Sequence, residues 1–178
     1  MAIEAQSEWV QAALSGDIDS FGRLCEWYYS AQVAVAYSVL GDHQLAEDAT
    51  QEAFARALVN LRKLKDPGRF GPWLAQICRN VAIDMARVRL RQRRKDDGAV
   101  AYDGDSDEET LRTVRQGIDT LPAAMKEVVI LRYYDHRSYE QIADVLDLSR
   151  TTVNGRLTRA KRKLAKYLRR QGVLESEP

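Results

Sequence analysis

SYEQIADVLDLSRTTVNGRLTRAKRKL, residues 138–164, is the stretch that decides the fold. Ser138 followed by Gln141 is a capping-box pattern: the hydroxyl accepts from the amide three residues on, and the glutamine reaches back to the cap N–H. The helix started there carries Ile142, Ala143 and Leu146 inward. A turn at Asp147-Leu148 ends in Ser149, which caps a second helix with apolar positions Val153, Leu157, Ala160 and Leu164. Two short helices joined by a tight turn, with the small Ala143 at their crossing, predict a helix-turn-helix.

The second helix has to bury Val153 and Leu157 while turning a polar face outward. That face holds Arg150, Thr151, Asn154, Gly155, Thr158, Arg159 and Arg162. Forked arginine and asparagine side chains match purine edges in the major groove. Lys161, Lys163 and Lys166 suit phosphate, where charge counts more than shape. From Arg150 to Arg170 there are nine basic residues and no acidic one. An amphipathic hairpin with a solvated basic face has the same pattern; caps, alanine and charge bias together favour DNA binding. Gly155 costs about 1 kcal/mol in a helix relative to alanine. Close approach to DNA and simple tolerance on an exposed face both account for it.

Upstream, Leu121-Pro122 opens a helix with Val128, Leu131 and Tyr134 as its stripe, proline suiting the first helical position. Before it, residues 96–109 carry seven acidic residues and no basic one, with glycines and few large apolar residues. This reads as a mobile linker. Earlier still, a long helix starts near Asp19 or Ser20 and stops at Gly41. A second, from about Asp42 to Leu61, repeats Leu45, Ala49, Ala53, Ala57 and Leu61, widened by Phe54 and Leu58. Asp66-Pro67-Gly68 is a turn. A third helix tolerates Pro72 in its first turn and lines up Trp73, Leu74, Ile77, Val81, Met85 and Val88. Trp73 belongs to the core by this spacing, although an indole could also stack on a base. The prediction is an all-α chain of two small helical domains: 1–95, then a flexible acidic linker over 96–112, a second domain over 113–170 and a short tail over 171–178.

Within 178 residues the net charge of +1 hides these blocks, including six basic residues over 87–95 with no acidic one. The third helix also has a polar stripe of Gln76, Asn80, Asp84, Arg87 and Arg91 that can track a DNA backbone. On the second helix Asp48, Gln51, Glu52 and Arg56 share a face opposite the alanines. It is either a solvated face or a docking face for a basic or polar helix. Acid–base chemistry there lacks a nucleophile, a compatible histidine and a phosphate loop, so no catalytic residue is assigned. Cys25, Cys78, His43 and His136 have no metal-ligand spacing, and no cofactor or metal is expected. The start MAIEAQSEWVQ has no leader pattern and no apolar run approaches bilayer length, which points to the cytoplasm and no membrane insertion.

Three segments carry a family resemblance. LAEDATQEAFARAL (45–58) resembles the region 2.2 helix of extracytoplasmic-function (ECF, group 4) sigma factors of bacterial RNA polymerase. FGPWLAQICRNVAIDMARVRLRQRR (70–94) is similar to their region 2.3–2.4 helix, and residues 121–164 resemble their region 4. The resemblance implies a non-enzymatic subunit that directs promoter-specific initiation. Asp48, Gln51 and Glu52 would dock on the β′ clamp helices of core RNA polymerase. The loop Lys65, Asp66, Gly68, Arg69 and Phe70 would hold an unstacked base of the −10 element, with Asn80 and Arg87 beside it. Arg150, Thr151, Asn154, Gly155, Thr158, Arg159 and Arg162 would serve the −35 element, and Tyr133 would lie near the β flap. Promoter DNA and an anti-sigma factor are the other implied partners. A stand-alone helix-turn-helix regulator with a helical dimerisation domain is the alternative reading.

Overall fold

The computed structural model describes residues 2–93 and 106–174, and every regular element among them is a helix. Helix α1 (Ala2–Leu14) packs on α2 (Ile18–Leu40), which starts earlier than expected. The cap is Asp17, whose carboxylate accepts the Asp19 amide at 3.2 Å and the Ser20 hydroxyl at 2.5 Å. Asp19 and Ser20 therefore lie inside the first turn. As expected, α2 stops at Gly41, left-handed at φ 65°, whose N–H donates to the Tyr37 carbonyl. Asp42 follows at once as the cap of α3 (His43–Asn60), accepting the Leu45 amide at 3.2 Å. The Leu45 amide, with help from the Arg89 guanidinium, holds the Asp42 carboxyl below its ordinary value.

Along α3, Ala46, Ala49, Ala53 and Ala57 are fully buried, so this helix sits close to α2 and α4 with little side chain between. Two short 3-10 turns, Leu61–Lys63 and Pro67–Arg69, lead into α4 (Phe70–Arg93), which takes Pro72 in its first turn. Trp73 is half-buried and tilts against Phe70 at 5.9 Å between ring centres. Val88 and Leu58, expected inside, are exposed: α3 and α4 splay where Val88 falls, leaving a groove that it lines.

The second half contains α5 (Ser106–Asp119), α6 (Ala123–Tyr133), α7 (Tyr139–Leu146) and α8 (Arg150–Arg170). Pro122 caps α6 instead of occupying its first position. The Ser138–Gln141 capping box forms in full, Ser149 caps α8 by accepting the Thr152 amide, and α7 closes at Asp147 in the left-handed region, φ 55°. The expected linker over 96–112 needs correcting at its far end. Residues 94–105 lie outside the described residues, but 106–112 are the start of α5, which packs on α8.

The halves are not separate bodies. One cluster of buried residues runs from Ala31–Ala36 of α2, through the alanines of α3 and Cys78, Val81 and Ala82 of α4, to Val128 and Leu131, Ile142, Val153 and Leu157. A second, smaller cluster joins Val10, Phe21, Leu24, Leu61, Phe70 and Leu74 around α1. Burial pushes the Cys25 thiol up to about 11 and the Cys78 thiol up to about 12, so both are neutral packing groups.

Two helical glycines make opposite demands. A Cβ on Gly117 would come within 2.6 Å of Leu164 Cδ1 and 2.8 Å of the Tyr167 ring, whereas one on Gly155 meets nothing nearer than the Arg159 guanidinium at 3.8 Å. Gly117→Ala is expected to lower stability by ~1–2 kcal/mol, since overpacking against α8 outweighs the gain in helix propensity. Gly155→Ala should raise it by up to ~1 kcal/mol. Urea unfolding of both variants checks the pair of signs.

Candidate nucleic-acid interface

Helix α8 divides as its sequence pattern requires. Val153, Leu157 and Ala160 are buried against α6 and α7, and Arg150, Thr151, Asn154, Thr158, Arg159 and Arg162 are exposed on the opposite side. Gly155, intermediate in exposure, lies within this face. The Arg159 Nε donates to the Gly155 carbonyl at 3.1 Å, which lays the guanidinium back over the glycine. Arg150 pairs with Glu140 of α7 at 3.1 Å, an exposed pair of small energetic weight. Lys161 lies over the ring of the exposed Tyr133 at 5.7 Å.

The turn between α3 and α4 brings Lys65, Asp66, Gly68 and Arg69 to the surface. Asp66 spends its carboxylate locally, accepting the Gly68 amide at 2.9 Å and so capping the second 3-10 turn. Phe70 corrects the sequence expectation. It is 2% exposed and packs on Tyr28 and Trp73, because the turn ends there and α4 needs an apolar anchor against α1 and α2. Phe70 shapes the turn from below and cannot touch a base without leaving the core. Farther along α4, Asn80 is exposed and accepts from Gln76 at 2.9 Å, and the exposed Arg87 pairs with Asp84 at 3.4 Å.

Asp48, Gln51 and Glu52 are all exposed on α3. Asp48 and Glu52 stand at the rim of a groove of about 690 Å³ between α3 and α4, floored by Leu45, Val81, Met85 and Val88. Arg56 donates to Glu52 at 2.7 Å. An acidic rim over an apolar floor accommodates a helix that is apolar on one side and basic at its edges.

What sequence reasoning passed over are the contacts that join the halves. Arg79 of α4 meets Glu127 of α6 with Nη2 at 2.5 Å and Nε at 3.1 Å. Arg69, in the exposed turn, donates to Asp147 at the end of α7. Glu127 was the visible signal, a lone acid leading the apolar run Val128–Leu131. Among the described residues, no group of three or more His, Cys, Asp or Glu side chains is placed to hold a metal, and no helix is long and apolar enough to cross a membrane.

Two family models match: sigma-70 region 2 over residues 24–95 and sigma-70 region 4 over residues 111–164. The ECF RNA polymerase sigma factor SigW of Bacillus subtilis (strain 168) is 29% identical over 181 residues, covering 90% of this chain and 95% of its own. BldN of Streptomyces coelicolor, also an ECF sigma factor, is 30% identical, covering 90% of this chain and 65% of its own. Among solved structures, CnrH in complex with the cytosolic domain of CnrY aligns with a TM-score of 0.61 at 27% identity, over 92% of this chain and 97% of that one. The sigma factor RpoE bound to the anti-sigma factor NepR, from Bartonella quintana, aligns with a TM-score of 0.56 at 25% identity, over 84% and 96%. The chain therefore belongs to the sigma-70 family. Within that family it is an ECF sigma factor, a transcription-initiation subunit of RNA polymerase.

Proposed function

We propose that three exposed surfaces divide the work of initiation. The α3 face of Asp48, Gln51 and Glu52 docks on the β′ clamp helices of core polymerase. The turn at Lys65, Asp66, Gly68 and Arg69, with Asn80 and Arg87 of α4, meets the −10 element. The outward side of α8 reads the −35 element in the major groove, and Tyr133 lies toward the β flap. The observation that carries this reading is the division of α8, whose apolar side is buried while arginines, asparagine and threonines are exposed on the other.

Opening DNA costs ~1.4 kcal/mol per base-pair step. A subunit with no catalytic residue offsets that cost by holding extruded bases, as base-flipping proteins do through pocket contacts. The exposed turn offers Lys65 and Arg69 for this and few aromatic rings, which implies limited melting power and demanding promoter choice. The chain is a non-enzymatic, cytoplasmic factor, and an anti-sigma factor is its regulatory partner, as NepR is for the RpoE it resembles.

Two experiments test the assignments. Asp48→Ala with Gln51→Ala should abolish competition for core polymerase while leaving the helical circular dichroism signal unchanged, because both side chains are exposed and, among the described residues, unpartnered. Normal competition by the double variant defeats the docking assignment. In holoenzyme, Arg159→Ala should cost ~1–3 kcal/mol and relax preference at one −35 position. Lys163→Ala should weaken all promoters alike and reduce the salt dependence by about one charge. Uniform loss for Arg159→Ala, or altered base preference for Lys163→Ala, means that α8 is rotated differently in its groove.

A further inference from the structure

A groove of about 590 Å³ opens beside the start of α6, walled by Val39 of α2, Ile83 of α4, Leu121, Leu146 of α7 and Leu148 of the following turn. Its volume falls in the range of sites that hold small molecules, and such sites pair apolar walls with a few placed polar groups. Leu121 is buried, and the other four are half-buried, so apolar surface remains to be covered here. Every apolar side chain lining the groove is aliphatic. None offers a ring for a base or an aromatic ligand to stack on, whereas burial of a hydrocarbon chain needs no direction.

The charges at its edge select the other end of such a ligand. Arg79 and Glu127 both line the groove, but each is spent. Arg79 places Nε and Nη2 on the Glu127 carboxylate and Nη1 on the Gln76 side chain at 2.8 Å. Lys126 is held by Asp119 at 2.6 Å. Arg156 of α8 remains. It is half-buried, and among the described residues it has no hydrogen-bond or ion-pair partner. It lies off the outward face of Asn154, Thr158 and Arg162, on the flank of α8 that lines this groove.

A guanidinium drawn partly out of water without an anion loses hydration and gains nothing in return. Its planar fork matches a carboxylate in two-point contact. Pro122 also leaves the first amides of α6, at Ala123 and Ala124 on the same groove, without a side-chain cap. That end of the helix adds partial positive charge. One negative charge suits this set better than two, because a single guanidinium is unspent and the Glu127 carboxylate in the same wall repels a doubly charged group more strongly.

The geometry points to a binding site for a medium-chain carboxylate, with its acyl chain along Val39, Ile83, Leu146 and Leu148 and its head group on Arg156. The site shares no residue with the surfaces proposed for polymerase or promoter DNA, so it stands independently of that reading.

Calorimetric titration of the full chain tests it, with decanoate below its micelle-forming concentration as the probe. Decanoate should bind saturably, one per chain. Decyltrimethylammonium has the same chain and the opposite charge, and should bind at least tenfold more weakly. Arg156→Met keeps an apolar stem and removes the charge, and in a variant with the wild-type circular dichroism spectrum it should weaken decanoate at least tenfold. In nitrogen-15 spectra of the wild-type chain, which depend on no variant, decanoate should shift the amides of Ala123, Ala124 and Arg156. Absence of saturable binding, equal affinity for the two amphiphiles, or unaltered affinity in Arg156→Met overturns the inference. So do shifts confined to the acid-rimmed groove between α3 and α4. Tighter binding of decyl phosphate than of decanoate overturns the assignment to a singly charged carboxylate.

Discussion

The arrangement depends on the packing of α6 against α2. From Ala31 to Ala36, α2 is buried on every side, which a helix at the edge of a three-helix unit cannot achieve by itself. The outer side is covered by α6, with Val128 and Leu131 at no measurable exposure. Through them the apolar contact continues into Ile142, Val153 and Leu157, so the helix-turn-helix is seated on the same core that orders α3 and α4. Apolar burial of this kind is non-directional. The ion pairs and the Tyr37–Tyr134 stack fix which way the second half faces.

That orientation sorts the basic residues into two groups. Those of α8 are left at the surface, where they add to a positive field over a helix with nine basic and no acidic residues. Arg69 and Arg79 are instead neutralised by acids from the other half. The difference follows from position along the fold: α7 lies against α4 and the end of α7 lies at the turn, while α8 packs on α5, α6 and α7 and faces away.

The helix-turn-helix was legible because its signals are local. The capping box at Ser138, the cap at Ser149 and the spacing of Val153 and Leu157 are all settled within a few residues of themselves. The α3 face was legible for the same reason, alanines inward leaving Asp48, Gln51 and Glu52 outward. Phe70 was misread because a turn that must present Arg69 and also start a helix needs a buried anchor, and only the packing of α1 and Tyr28 reveals which residue supplies it. Helix α1 itself was passed over, although Trp9, Val10 and Ala13 carry helical spacing. The pairing of Arg79 with Glu127 spans 48 positions, and no periodicity encodes contacts of that range.

The shared core makes the free chain move as one body. Nitrogen-15 relaxation of the full-length protein in solution, without polymerase or DNA, measures it directly. Amides of α2–α4 and of α6–α8 should report a single rotational correlation time. Two distinct and shorter times, one for each half, would contradict the account.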